Sequence, residues 1–347
     1  MPSLQEIPCA AQAAAPEQHV RRRAPFCYAL LFICVQLGAL VGCFVIAANP
    51  WFLDHDDDPW LKPSLGYSQR AQGVACDVVL YGDSSALTGL DPALIQQRTG
   101  MKTCNVSEIR PVHAVVGSFY PLDIYLAHNP RPKFILSSWA AYDFRRVAQP
   151  TAVSFYVEGF EYAMLFHRRP FFWNAVLRHP SWAYQFAIWV GNSSISDAVV
   201  RLRGEHRARW AANGTPRDQR AGFYQYLVPP ETHCSMHVNL VMNREKVRAG
   251  IQSFKDRYST GGTQVIFNVS PTADCIPNAG AVVNLMAGLA DNRLQLWPLR
   301  LFNNGPVHFT PQGSTLYSNE AADQILAILR QQSAAHPSRP DLRPDDQ

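Results

Sequence analysis

Two short motifs carry the residue types that acyl-transfer chemistry needs. The first is Gly82–Ser85 (GDSS), which directly follows the apolar run VVLY. The second places His308 two residues before Thr310, the predicted N-cap of the last helix. A serine hydroxyl becomes a nucleophile when a neutral imidazole accepts its proton. Ser84 and His308 are thus residue types that can carry out a reaction on an acyl ester, which requires neither a metal ion nor an organic cofactor. Taken singly, each motif has a structural alternative: a strand-to-helix turn with cap residues for GDSS, and a packed or solvated histidine for His308.

The elements around these motifs predict an α/β fold. Short apolar runs typical of buried strands alternate with helical patterns. The predicted strands cover residues 78–81, 102–106, 133–138, 264–271 and 293–297, and the predicted helices cover residues 91–98, 112–127, 243–258 and 311–331. This alternation predicts three layers, with a mainly parallel sheet flanked by helices. Ser84 follows the first strand, at the edge of such a sheet where ligands bind.

One segment breaks this alternation. Residues from about 145 to 235 are rich in Phe, Trp, Tyr and Arg, and their pattern indicates short helices. We interpret this segment as a helical cap inserted over the sheet edge; a surface lying against a membrane is the alternative. The predicted organisation is a cytoplasmic tail (1–25), a transmembrane anchor (26–48), a linker (49–72), the α/β domain with its cap (73–335) and a flexible tail (336–347).

The predicted anchor is an uncharged apolar stretch, Phe26–Ala48. As a helix it would be about 34 Å long, enough to cross a hydrocarbon core of roughly 30 Å. Arg21–Arg23 precede it, and an aspartate-rich stretch (54–58) follows it. Because positive residues stay on the cytoplasmic side, we expect the N-terminus inside and the main domain outside. A cleaved signal peptide is the alternative interpretation, although its apolar region would be shorter.

The exported part contains four of the eight cysteines, namely Cys76, Cys104, Cys234 and Cys275. Four cysteines allow three pairings. Cys76 and Cys104 each lie at or beside a predicted strand near the start of the domain, which favours their proximity. His233 and His237 are four residues apart, but their spacing matches no zinc motif. We interpret them as surface histidines, with a metal-dependent hydrolase as the alternative.

Taken together, GDSS after the first strand and VHFTPQG at the last helix resemble the SGNH/GDSL hydrolase superfamily. The resemblance covers roughly residues 74–144 and 240–331. It implies an SGNH-like fold in which Ser84 is the nucleophile and His308 is the base. Thr310 and Gly313 match residues that usually follow the histidine in that family.

The two neighbours of Ser84 have supporting roles in this interpretation. Asp83 is expected to fix the turn by hydrogen bonding to the backbone, with a catalytic role as the alternative. Ser85 is the alternative nucleophile, because some membrane-anchored relatives display the second serine of such a pair. We favour Ser84.

The chain departs from the family pattern at the acidic member of the triad. That residue normally lies three positions before the histidine, where this chain has Gly305. We expect Asn304 to accept the other ring N–H of His308 through its amide oxygen, which holds the tautomer without adding charge. Asp143 and Asp274 are alternative sources of the missing carboxylate.

Two further departures concern the residues that stabilise the oxyanion. The family has a glycine after the second strand, where this chain has Ser107 and Glu108. It has an asparagine after the third strand, where this chain has Ser138, Ala141 and Asp143. The sequence thus predicts a Ser–His dyad with altered oxyanion donors, or a site that has lost its chemistry.

The resemblance implies an esterase or O-acyltransferase that acts on an acylated envelope carbohydrate or a similar ester, beside a membrane-bound acyltransferase. It would be a single-pass protein of the inner (cell) membrane, with its main domain in the periplasm or outside the cell. The alternative is a catalytically silent binding or scaffolding protein, which Gly305 favours. The 31 basic residues nearly balance the 27 acidic ones, so the composition excludes nucleic acid as a partner.

Overall fold

The fold is described from a computed structural model that covers residues 17–47, 67–68, 70–108, 120–142, 144, 181, 184, 188, 220–225, 228–234, 242–303 and 305–335. The main helices are α1 (Glu17–Ala47), α2 (Ser84–Gly89), α3 (Pro92–Thr99), α4 (Tyr120–His128), α5 (Arg244–Tyr258), α6 (Ala279–Met286) and α7 (Pro311–Ala335). The strands are β1 (Val78–Gly82), β2 (Thr103–Asn105), β3 (Phe134–Trp139), β4 (Gln264–Val269), β5 (Thr272–Ala273), β6 (Leu296–Trp297), β7 (Phe302–Asn303) and β8 (His308–Phe309). The predicted α/β class, with a mainly parallel sheet flanked by helices, is confirmed.

The central sheet has four parallel strands in the order β2-β1-β3-β4. Every residue of β1 is buried, as expected for a strand that is covered on both faces. β1 pairs with β3 along its whole length, ending with Gly82 opposite Ser138. β2 lies on the other side of β1, so the order of the strands reverses there. Ligand sites of open α/β sheets form at the carboxyl ends of the strands beside such a reversal.

Two apolar cores cover the two faces of this sheet. Successive side chains of a strand point to opposite faces. Val79 and Tyr81 belong to one core, which includes Phe254 of α5 and residues of α4 and α6. Val78 and Leu80 belong to the other core, together with residues of α3 and α7. The helices therefore hold β1, and the turn that follows it, from both sides.

The last predicted strand is shorter than expected and lies outside the main sheet. Of residues 293–297, Leu296–Trp297 form a strand, and it pairs with β5 rather than with the main sheet. Leu294 and Trp297 are buried, while Gln295 and Leu296 are exposed. A spacing of three between buried residues does not fit the two-residue period of a strand, which limits the length of β6.

Helix α1 covers the predicted anchor. Its stretch Pro25–Gly42 has a mean hydropathy of 2.0 and is not buried against the rest of the chain. It is long and apolar enough to span a membrane. Large apolar side chains such as Phe26 and Phe32 are 70% and 65% exposed.

Two disulfides join segments that are distant in the sequence. Cys76 pairs with Cys104, and Cys234 pairs with Cys275. Their Cα–Cα distances of 6.0 and 5.8 Å are ordinary for disulfides. The first links the entry of β1 to β2, and the second links the segment after residue 228 to the segment after β5.

Most of the predicted cap, residues 145–235, lies outside the described residues. Two of its pieces, 220–225 and 228–234, contact the α/β domain. In the first piece, the carbonyl of Ala221 accepts a hydrogen bond from the Asn105 N–H at 2.8 Å. In the second, the Glu231 N–H donates to the Phe302 carbonyl at 2.8 Å. We call residues 228–234 the strap.

Candidate functional site

The GDSS motif forms a tight turn, which we call the serine turn (Gly82–Ser85), between the end of β1 and the start of α2. Gly82 lies so close to β3 that a Cβ at this position would be 1.8 Å from the Ser138 carbonyl oxygen. Only glycine lets the two strands pair this closely at the end of β1. Ser84 is the first residue of α2, so it lies just beyond the carboxyl end of β1, at that edge of the sheet.

Asp83 fixes the serine turn from the inside. It is the N-cap of α2, and its Oδ1 accepts hydrogen bonds from the Ser85 N–H at 2.8 Å and from the Ser85 hydroxyl at 2.6 Å. Its Oδ2 accepts a hydrogen bond from the Ala140 N–H at 2.7 Å, after the end of β3. One carboxylate oxygen thus holds the turn, and the other attaches it to the residue after β3. Asp83 therefore has a structural role.

The two serines of the motif face different surroundings. The Ser84 Oγ lies 2.8 Å from the His308 Nε2. The Ser85 hydroxyl is fully buried and lies 2.5 Å from the Ser270 hydroxyl, which in turn lies 2.8 Å from that of Ser138. Ser84, rather than Ser85, is therefore the serine that meets the histidine.

The buried chain of hydroxyl groups ends at Tyr317, whose hydroxyl bonds Ser138. Burial raises the pKa of Tyr317, an effect that its side-chain hydrogen bonds partly offset. Each hydroxyl in this row is hydrogen-bonded to a neighbouring hydroxyl, as a buried polar group requires. The row connects the serine turn to β3, to the end of β4 and to α7.

His308 lies on an antiparallel hairpin, β7–β8 (Phe302–Phe309), which we call the histidine hairpin. Asn303 pairs directly with His308 across it. The hairpin packs so closely on α2 that a Cβ at Gly89 would lie 2.6 Å from the Phe309 ring. This close approach brings the histidine to Ser84.

Helix α7 begins immediately after the histidine hairpin, as predicted. The Thr310 hydroxyl accepts a hydrogen bond from the Gly313 N–H at 3.2 Å, which is the expected capping interaction. Gly313 is needed for packing, since a Cβ there would lie 2.2 Å from the Leu301 carbonyl oxygen. The Thr and Gly that follow the histidine therefore fix the start of the helix.

The asparagine that shares a face with His308 is Asn303, whereas Asn304 lies outside the described residues. Residues that pair directly across two strands project their side chains from the same face. Asn303 is fully buried, and neither its Oδ1 nor its Nδ2 has a hydrogen-bond partner among the residues that the structure describes. No sequence pattern predicts that Asn303 lies opposite His308, because this depends on the register of the hairpin.

Of the two carboxylates considered for the third role, Asp143 lies outside the described residues and Asp274 is exposed after β5. A different carboxylate, that of Glu231, accepts a hydrogen bond from the Gly305 N–H through its Oε2 at 3.1 Å. Gly305 lies in the turn of the histidine hairpin and has a φ of 102°. No periodicity or motif connects Glu231 with Gly305, so sequence patterns could not have found this contact.

The residues after β2 use their N–H groups in hydrogen bonds within the protein. The Ser107 N–H donates to the Asn105 Oδ1 at 3.0 Å, and the Glu108 N–H donates to the Gly82 carbonyl at 2.9 Å. The buried Glu108 carboxylate accepts a hydrogen bond from the Tyr81 hydroxyl at 2.8 Å. Burial, together with the charge of Glu108, raises the pKa of Tyr81 well above its ordinary value.

No metal site is evident in the part of the chain that the structure describes. Within that part, no group of three or more His, Cys, Asp or Glu side chains is arranged to hold an ion. His233 is exposed on the strap, and His237 lies outside the described residues. The site is therefore interpreted from Ser84 and His308.

No protein-family model, curated protein or solved structure matches this chain. The resemblance to the SGNH/GDSL superfamily rests on the GDSS and VHFTPQG motifs. The geometry adds that the serine of the first motif and the histidine of the second are in hydrogen-bond contact at the carboxyl edge of a parallel sheet.

Proposed function

We propose that this chain is an esterase or O-acyltransferase of the SGNH type, with Ser84 as nucleophile and His308 as general base. The observation that carries the proposal is the 2.8 Å distance between the Ser84 Oγ and the His308 Nε2. Proton transfer from a serine to an imidazole requires about 2.6–3.2 Å. The two residues are 224 positions apart in sequence, so the fold itself creates this contact.

In the proposed reaction, the Ser84 Oγ attacks the carbonyl carbon of an ester while its proton moves to the His308 Nε2. The ester C–O bond then breaks, and the leaving alcohol takes the proton from His308. The acyl group remains on Ser84. Water, in an esterase, or an acceptor hydroxyl, in an acyltransferase, next attacks this acyl group and gives its proton to His308. Ser84 leaves with that proton, which restores the starting state.

The proposed substrate is an acylated envelope carbohydrate or a similar ester, and the proposed partner is a membrane-bound acyltransferase. We place the domain outside the cytoplasm, attached to the inner membrane by α1. Arg21–Arg23 lie before the apolar part of α1, which favours a cytoplasmic N-terminus. The two disulfides also support an oxidising compartment, since such bonds are rare in the cytosol.

The proposal is tested by labelling the full chain, in detergent, with a serine-reactive fluorophosphonate. We expect Ser84 to displace fluoride from phosphorus and to be modified, and mass spectrometry of the labelled peptide to separate Ser84 from Ser85. Ser84→Ala is expected to lose the label, and His308→Ala to slow labelling by at least about 10²-fold. Hydrolysis of p-nitrophenyl acetate should fall in parallel.

The control is Ser333→Ala, which removes an exposed hydroxyl near the end of α7. It should label at the rate of the unmodified chain. If the unmodified chain takes up no label at Ser84 and hydrolyses no ester, the enzyme proposal is wrong, and the silent binding or scaffolding protein is the function that stands.

A further inference from the structure

The strap is joined to the histidine hairpin by a single β-bridge and one backbone hydrogen bond. Pro230 pairs in antiparallel fashion with Asn303, and the Glu231 N–H donates to the Phe302 carbonyl. Strap, β7 and β8 therefore lie side by side, with His308 on the outer strand. The disulfide between Cys234 and Cys275 ties the end of the strap to the α/β domain.

The side chain of Glu231 reaches the turn of this hairpin. Its Oε2 accepts the hydrogen bond from the Gly305 N–H at 3.1 Å, and the side chain is half-buried. A hydrogen bond from an N–H to a carboxylate is stronger than one between neutral groups. Gly305 carries no side chain, and apart from its chain neighbours no described residue has an atom within 4 Å of the place where its Cβ would be. The carboxylate thus comes to the turn from a different segment of the chain.

Among the residues that the structure describes, three other carboxylates lie just after the strands β1, β2 and β5. Asp83 bonds Ser85 through one oxygen and the Ala140 N–H through the other. The Glu108 carboxylate accepts a hydrogen bond from the Tyr81 hydroxyl. Asp274 is exposed after β5. Glu231 is the carboxylate that the described residues show bonded to the histidine hairpin.

We propose that Glu231 is the acidic positioning residue of this site. Its carboxylate holds the turn of the histidine hairpin and supplies the negative charge that stabilises His308 when it becomes an imidazolium. The inference rests on the proposed function, because the imidazolium forms only when Ser84 gives up its proton. The role falls on a glutamate of the strap because the turn residue itself, Gly305, has no side chain.

The charge acts on the reaction more than on substrate binding. The imidazolium is absent while the substrate binds and appears in the transition state, so loss of the charge lowers kcat and leaves KM nearly unchanged. Glu231→Gln keeps an oxygen that can accept from the Gly305 N–H and removes the charge. We expect a loss of about 10²-fold in kcat, less than the about 10⁴-fold known for an acid that bonds its histidine directly.

The deciding experiment moves the charge within the hairpin. Rates of fluorophosphonate labelling and ester hydrolysis are measured for Glu231→Gln alone and combined with Gly305→Asp or Gly305→Asn. Both second substitutions place a side chain at the same φ of 102° and differ in charge. We expect the Asp combination to label at least about 5-fold faster than the Asn combination if charge at the turn is what His308 needs. Glu245→Gln, in an exposed position of α5, is the control and should match the unmodified chain.

The outcomes separate this inference from the proposed function. If the unmodified chain labels at Ser84 and Glu231→Gln labels equally fast, Glu231 has no positioning role. Equal rates for the Asp and Asn combinations would show that charge at the turn is irrelevant and would overturn the inference as well. Failure of the unmodified chain to label overturns the proposed function first.

Discussion

The serine turn and the histidine hairpin meet at one hydrogen bond, yet they are held in opposite ways. In the serine turn, both oxygens of Asp83 and the hydroxyl of Ser85 have buried partners. In the histidine hairpin, the buried amide of Asn303 has no partner among the described residues, and the turn at Gly305 is bonded by Glu231 of the strap. The serine turn is fixed by its own residues and the sheet, whereas the histidine hairpin is held by packing on α2 and by hydrogen bonds from other segments, the strap among them.

This difference assigns different tasks to the two halves. A nucleophile gains from a rigid backbone, because small displacements from the reacting geometry are costly in rate. The serine turn supplies that rigidity and much of the local stability. The histidine hairpin carries an unsatisfied amide and a glycine turn, so changes there are expected to alter the reaction more than the fold.

The largest effect on stability is expected at the floor of the serine turn, for Gly82→Ala. The added Cβ would lie 1.8 Å from the Ser138 carbonyl oxygen, so β1 and β3 must separate. We expect the free energy of unfolding to fall by at least about 3 kcal/mol, measured by urea unfolding. Gly280→Ala, at an open position of α6, is the control and should raise it by about 0.4–1 kcal/mol.

An opposite result is expected in the histidine hairpin for Asn303→Leu. The substitution removes two buried polar atoms that have no hydrogen-bond partner in the described part of the chain, so the free energy of unfolding should rise by about 1–2 kcal/mol. Because Asn303 shares a face with His308, the rate of Ser84 labelling should fall at the same time. Stability gained while activity is lost would identify a residue kept for its chemistry.

Asn105→Leu is the matched control for this comparison. Asn105 is equally buried, but its amide donates to the Ala86 and Leu90 carbonyls and accepts from the Ser107 N–H. Its replacement should lower the free energy of unfolding by about 2–3 kcal/mol. If Asn303→Leu were destabilising to the same extent, the contrast between the two halves would be wrong.

The smallest effect is expected at alkaline pH and concerns Tyr317, at the end of the hydroxyl chain from Ser85. Burial raises its pKa, so the unfolded chain releases the phenol proton at lower pH than the folded one. The free energy of unfolding is therefore fully retained below about pH 10 and falls above it, by up to about 1.4 kcal/mol per pH unit for each such tyrosine. Tyr317→Phe should flatten this fall, as measured by urea unfolding between pH 9 and 11.

Tyr184→Phe tests whether burial is the cause. Tyr184 is 62% exposed, so its removal should leave the alkaline slope unchanged. Identical slopes for the two variants above pH 10 would contradict the assignment of this loss to the buried hydroxyl chain.

Local signals explain what the sequence predicted well. Asp91 and Pro92 mark the start of α3, and Gly100 ends it with a φ of 71°, as a helix C-cap requires. The continuous apolar run before GDSS predicts a strand that is buried on both faces. Every residue of β1 is buried, as this pattern requires. The meeting of Ser84 and His308 was expected only through the family resemblance.

What the sequence could not predict depends on register and on contacts between distant segments. The alignment of Asn303 with His308 follows from how the hairpin pairs, and a shift of one residue would have aligned Asn304 instead. Glu231 is 74 residues before Gly305, and no repeating pattern links the two. The observed site therefore differs from the predicted one mainly in the residues around His308.

The Cys234–Cys275 disulfide bears on when the site becomes complete during the life of the chain. A newly made chain in a reducing compartment lacks this bond, and its strap is held to the hairpin by hydrogen bonds and packing alone. If the domain is exported, as proposed, oxidation outside the cytoplasm closes the link and secures Glu231 at the hairpin. Under the proposed function, maturation of the site follows delivery, so the cell interior that synthesises the chain is spared its ester chemistry.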